Sequence, residues 1–144
     1  MQDPTQSLIN WKTNAWKDPN MVAWYSKRMV ENTGINVLKN LLETRLVRRM
    51  AIGRDVLDVG IGTGRASIQL AKAGFNVSGI DSSQAMLDET QRLAGNVPMH
   101  LKVGDVQSVP HADASFDFLV SLNVMVHFPH WQTVLQEWRR VLRP

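Results

Sequence analysis

The chain has 144 residues, 44% of them hydrophobic and 20% charged, with a formal net charge of +3 and no cysteine. That composition gives one globular domain with a core of its own, and it excludes disulfides, thiolate nucleophiles and cysteine-based zinc sites. No apolar run approaches the ~20 residues that cross a bilayer, and the opening "MQDPTQSLIN" lacks the basic-then-apolar layout of a secretory signal; a cytoplasmic address without membrane insertion is expected.

The front of the chain is basic and the back acidic. Residues 1–54 carry nine Lys/Arg against four Asp/Glu, and residues 55–144 carry seven against nine. Arg45, Arg48 and Arg49 read as a solvated helix face, with nucleic-acid contact as the alternative. Residues 1–50 read as a helical segment rich in tryptophan, with Trp11, Trp16 and Trp24 beside Tyr25. Ile35, Leu38, Leu41 or Leu42, Leu46 and Met50 recur at helical spacing behind a capping Thr33, which predicts a helix that buries this face.

After a break at "IGRD" the pattern changes to short apolar runs bounded by glycine and aspartate. Strands are expected at 55–59, 76–80, 100–103 and 116–122. Between the first two, "RASIQLAKAG" reads as a helix closed by Gly74; between the next two, "SQAMLDETQRLAG" reads as a helix capped by Ser82 or Ser83 and closed by Gly95. The fourth strand leads through "HFPH" into the helix "WQTVLQEWRRVL". Strands alternating with helices predict an α/β fold, a doubly wound, Rossmann-like parallel sheet with right-handed crossovers. The division expected is a helical cap over 1–50 and a ligand-binding domain over 51–144.

Ligands of such sheets bind outside the carboxyl ends of the strands. "VLDVGIGTGR" at 56–65 places Asp58, Gly60, Gly62 and Gly64 in the first strand-to-helix turn, where bare backbone can touch a ligand directly. The nicotinamide fingerprint G-x-G-x-x-G needs a glycine at position 65, which is Arg65, and the phosphate loop lacks its lysine. A pyrophosphate ligand is therefore disfavoured.

The D-x-G-x-G-x-G pattern instead resembles motif I of the class I S-adenosylmethionine-dependent methyltransferases, and further features follow in the family's order. Asp81 ends the second strand in "VSGIDSS", 23 residues after Asp58; "GDV" at 104–106 ends the third; "ASFDFLVSLNVMVHF" and "LQEWRRVLRP" match the fourth strand and the helix before the fifth. The resemblance covers residues 52–144 and is nearest to the small-molecule branch that includes ubiquinone and menaquinone biosynthesis methyltransferases. It implies S-adenosylmethionine as cofactor, with Asp58 and the Gly60 carbonyl at its amino group, Asp81 on the ribose hydroxyls, and Ser82 and Met86 beside them. Asp105 and Val106 would define the adenine pocket and Leu122 would lie against the cofactor after the fourth strand.

Some residues keep two readings. His127 is either a general base or a packed residue bonding a neighbouring loop. Trp24 or Tyr25 closes the site, or Trp11, Trp16 and Trp24 anchor helices on the sheet. No metal is implied, because His100, His111 and His130 lack ligand spacing, and Asp113 and Asp117 read as surface and turn residues. The family's sheet has seven strands in the order 3-2-1-4-5-7-6, so a chain stopping at Pro144 reads as a fragment, with pairing of two copies along strand four or a minimal fold as alternatives. The function expected is methyl transfer to a small or medium-sized organic acceptor. Cofactor binding without turnover, methylation of nucleic acid and nicotinamide chemistry are the competing readings, in that order.

Overall fold

A computed structural model describes residues 4–30 and 34–144. The run DVLDV forms β1 (Asp55–Val59), in which every residue after Asp55 is buried. It pairs in parallel with β2 (Asn76–Asp81) on one side and β4 (Phe118–Val120) on the other, and β2 pairs in parallel with β3 (His100–Val103), giving the order β3-β2-β1-β4. A parallel strand covered on both faces runs apolar without a polar side, and alternation decides only which layer each side chain joins. Leu57 and Val59 enter one layer with Val134, Trp138 and Val141 of α6 (Trp131–Val141). Val56 enters the other with Ala66 and Leu70 of α4 (Arg65–Lys72) and Val47 of α3 (Ile35–Met50). Helices thus cover both faces, as the alternating pattern predicts.

Polar bonds lock the bottom of the sheet. Asp117 accepts from the backbone N–H groups of Arg54 at 2.7 Å and Asp55 at 2.9 Å, and from Arg143 at 2.6 Å. Those donors hold its carboxyl down at about 2, so the residue read as a turn aspartate is a charged clamp between β1 and the approach to β4.

Two helices precede α3. These are α1 (Pro4–Ala15) and α2 (Pro19–Val30), and side chains tie them across the strand ends. Ser83, which caps α5 (Gln84–Ala94), donates its hydroxyl to the Trp16 carbonyl at 2.6 Å; Ser26 bonds Glu89 of α5; and Asn40 donates to the Met29 carbonyl at 2.7 Å. No helix among the described residues is long and apolar enough to cross a membrane.

The structure corrects several expectations. The fourth strand is ladder-paired only over Phe118–Val120, not 116–122. Phe116 instead bridges to Leu142, Ser121 bonds the Val59 carbonyl through its hydroxyl at 2.8 Å, and Asn123 takes φ +63, which ends the extended run. In α3 the apolar stripe faces outward: Ile35 is 81% exposed, and Leu38, Leu41, Leu42, Leu46 and Met50 are exposed as well. The face turned inward holds Asn36, Asn40, Glu43 and Val47, and Glu43 and Asn40 both bond Arg65 of α4. The expected cap Thr33 lies outside the described residues, and Gly34 precedes the helix. Trp11 and Trp24 are exposed and anchor nothing on the sheet, whereas Trp16 is half-buried and meets Tyr25 edge-on at 5.2 Å.

The Nε1–H of Trp138 donates to the Val106 carbonyl at 2.7 Å inside the core. Trp138→Phe keeps the aromatic body and leaves that carbonyl unpaired, so urea unfolding should show a loss of about 1–3 kcal/mol.

Candidate functional site

The carboxyl ends of the strands and the helices above them enclose a cavity of about 620 Å3. That is within the range of about 300–1,000 Å3 usual for small-molecule sites. Of the residues singled out from sequence, Asp58, Gly60, Gly62, Asp81, Ser82, Met86, Asp105, Val106 and Leu122 line it, and Gly64 does not.

The three glycines of the turn do different work. A Cβ at Gly60 would lie 2.4 Å from Val124 and one at Gly64 would lie 2.8 Å from Thr90, so these two are bare because protein packs against them. A Cβ at Gly62 would meet nothing nearer than the Gly60 carbonyl at 4.0 Å, and its φ is +55. Its bareness faces open cavity. The turn is pinned from below, since the N–H groups of Gly60 and Ile61 both donate to the Ile80 carbonyl, at 2.9 and 3.0 Å.

Asp81 accepts from the Gly62 N–H at 2.9 Å on one oxygen and from the Ser83 N–H at 3.0 Å on the other. A carboxylate offers about four lone-pair sites, so beside these bonds and the nearby Ser82 N–H capacity for a further donor remains. Burial pushes its carboxyl above the usual range, opposed by those backbone N–H groups. Asp58 is more deeply buried and accepts from the Ser67 hydroxyl at 2.6 Å. Burial pushes it up to about 7, the Ser67 bond opposes the rise, the Asp81 charge adds to it and Arg65 offsets part. Asp81 thus has the more donors of the two, and Asp58 is the carboxylate left short of them. Asp105 is exposed at the rim and accepts from the Gln107 N–H at 2.8 Å.

Beyond β4, His127 lines the cavity with its Nδ1 buried and without a hydrogen-bond partner. Burial, then the charge of Lys12, lowers its pKa, so the ring is neutral at pH 7. The Thr63 hydroxyl is likewise buried and unpaired in a residue that lines the cavity. Sequence reasoning missed Thr63, the inner face of α1, namely Ile9, Lys12 and Thr13, and the place of Trp16 just past its end. The spacing 9, 12, 13, 16 is one helical stripe and was the available signal, but only two of its four members are apolar. Tyr25 lines the cavity and Trp24 does not; Trp24 sits under the Arg28 guanidinium at 5.4 Å. Among the described residues no group of three His, Asp or Glu is placed to hold a metal ion.

The raised Asp58 pKa has a definite sign in stability. Between 3.8, its ordinary value, and about 7 the unfolded chain has released this proton and the folded chain keeps it, so the contribution is lost as pH rises through that window. Asp58→Asn should leave stability nearly unchanged at pH 4. At pH 8 it should raise stability relative to the parent, by on the order of 4 kcal/mol at most, as read from urea midpoints of both chains.

A family model described as a methyltransferase domain matches residues 56–144. The chain is 36% identical over 97 residues to the O-methyltransferase resE of Aspergillus sclerotiorum, covering 64% of this chain and 37% of that protein. It is 32% identical over 137 residues to the methyltransferase GfsG of Streptomyces halstedii, covering 90% and 45%. The chain thus spans less than half the length of these curated relatives. Its fold matches the crystal structure of magnesium protoporphyrin IX methyltransferase from Synechocystis with bound SAH at a TM-score of 0.73, with 19% identity, covering 92% of this chain and 67% of that one. With the family model matching residues 56–144, the glycine turn and both strand-end carboxylates included, the chain belongs to the class I S-adenosylmethionine-dependent methyltransferases.

Proposed function

We propose that the cavity holds S-adenosylmethionine and that the chain carries the cofactor half of a methyltransferase acting on a small or medium-sized organic acceptor. The observation that carries this reading is the pair of carboxylates, buried Asp58 and half-buried Asp81, at the ends of adjacent strands, with the Gly62 N–H bonded to Asp81 between them. Such a floor suits a ligand with a cationic end and vicinal hydroxyls. The open face of Gly62 and the unpaired Thr63 hydroxyl add a cradle and a free hydrogen-bonding group.

When bound, the cofactor supplies an activated methyl group on a sulfonium. The chain's own residues bind and orient. Asp58 attracts the ammonium end, Asp81 accepts from the ribose hydroxyls with its remaining capacity, and Ser82 and Met86 flank them. Asp105 and Val106 bound the adenine pocket, Val106 being held by Trp138. Leu122 and the loop to Phe128 stand at the transfer end, with His127 neutral beside them. Residues 1–50 act as a cap that excludes water, Trp16 and Tyr25 forming part of its inner wall, and residues 51–144 act as the cofactor domain. The acceptor is read as a small molecule and not nucleic acid, because Arg45, Arg48 and Arg49 are exposed on α3 and do not line the cavity. A cytoplasmic location completes the reading, with pairing of two copies along the outer edge of β4 as an alternative arrangement.

Titration calorimetry of the chain with S-adenosylmethionine and S-adenosylhomocysteine should show saturable binding of both. Asp81→Ala should weaken each by about 1–3 kcal/mol, because hydroxyls are left without acceptors. A folded chain that binds neither ends the reading, and unchanged affinity in Asp81→Ala removes that residue from the ribose. Light scattering on the same samples tests that alternative, which requires the mass of two chains.

A further inference from the structure

Resting on the reading of the cavity as a methyl-transfer site, we infer that the acceptor is an aromatic acid and that Lys12 selects it through its anionic group.

Ile9, Lys12 and Thr13 face the cavity from one side of α1, as residues three and four apart must, and Trp16 joins them just past its end. One end of this stripe is fixed beyond β2, where the Trp16 carbonyl accepts from Ser83. Lys12, one turn earlier, lines the cavity together with Val124, His127 and Phe128 of the loop that follows β4, and its charge acts on the His127 imidazole. That is the end of the cavity away from Asp105, and so the acceptor's end.

The charges around the cavity then single Lys12 out. Lys39 pairs with Glu43 at 3.6 Å, and Arg65 pairs with the same carboxylate at 2.8 Å. Lys17 is exposed and lies past the end of the helix, next to Trp16. The acids of the floor, Asp58, Asp81 and Asp105, take their bonds from Ser67, from Gly62 and Ser83, and from Gln107. Lys12 is half-buried and, among the described residues, has no carboxylate partner. Such a cation is open to an anion arriving with the ligand, and the pairing strengthens as the cavity is shielded from water. The same cavity is lined by aromatic and apolar side chains, among them Ile9, Trp16, Tyr25, Met29, Val124 and Phe128. An aromatic body fits such a wall, and a carboxylate or similar anion fits the ammonium.

The cofactor's own carboxylate is the competing partner for Lys12, and the experiment separates the two. Calorimetry in saturating S-adenosylhomocysteine is run with two matched pairs, 3-hydroxybenzoate against 3-hydroxybenzamide and 3-hydroxy-2-naphthoate against its amide. At least one acid should bind roughly tenfold more tightly than its amide, the size of one charge-assisted hydrogen bond, and the preference should shrink as salt rises. Lys12→Met should bring acid and amide to within about twofold, and Lys12→Arg should keep the preference. The inference is overturned if neither acid is preferred, or if the preference survives in Lys12→Met. It is also overturned if Lys12→Met instead weakens S-adenosylhomocysteine tenfold, which would assign Lys12 to the cofactor's carboxylate. Absent S-adenosylhomocysteine binding by the parent chain overturns the methyl-transfer reading itself, and this inference with it; a parent that binds it and ignores the acids fails here alone.

Discussion

Two carboxylates, one buried and one half-buried, at the ends of neighbouring parallel strands set the terms for the rest of the molecule. Burying an ionised group costs several kcal/mol unless donors surround it, so a fold that keeps Asp58 and Asp81 together must answer that cost locally. It answers unequally. Asp81 receives the Gly62 and Ser83 N–H groups, whereas Asp58 receives one hydroxyl from Ser67 and is pushed up to about 7. The floor is thus left short of positive partners at one point, and that point faces the cavity. Strain of this kind is a frequent mark of binding sites, where stability is given up for affinity.

The turn that carries Gly62 is rigid because its neighbours make it so. Gly60 and Gly64 lie against Val124 and Thr90, and the N–H groups of Gly60 and Ile61 converge on one carbonyl of β2. Thr90 also donates its hydroxyl to the Gly62 carbonyl at 2.6 Å, so α5 holds the turn from the far side. Gly62 is left as the one open stretch of backbone in a turn whose other contacts are already used. A ligand there meets a surface that has little freedom left to lose on binding.

The strands were legible because their signals are local. DVLDV, with flanking glycine and aspartate, marks β1 to the residue, and the same holds for β3; β2 runs one residue further, to Asp81. Asp58, Gly62 and Asp81 were legible for the same reason, since strand end and turn occupy adjacent positions in the chain. What sequence reasoning missed depends on neighbours far away in sequence. Periodicity showed that Ile35, Leu38 and Leu46 share a face but not which way it turns; Arg65, 22 residues past Glu43, draws the polar side inward. Phe116 continues an apolar run, yet its partner is Leu142, and no local pattern reports that. Gly64 looks like its two companions in sequence, and only the position of Thr90 separates it from them.

The same distinction between local and distant explains the charge asymmetry of the chain. A basic front and an acidic back look like a tail and a body when read in line. Folding lays α1 and α3 across the strand ends, so Lys12, Lys17 and Lys39 line the cavity opposite Asp58, Asp81 and Asp105. Floor and roof then carry opposite fields across a space partly shielded from water, where charge acts more strongly than on an open surface. The cations of the roof oppose bringing a cationic ligand near it, and the acids of the floor attract that ligand. For an anionic ligand the preference reverses. One cavity thus presents two addresses, separated by the height of the space and by the sign of charge, which is what a site that must hold two different molecules at once requires.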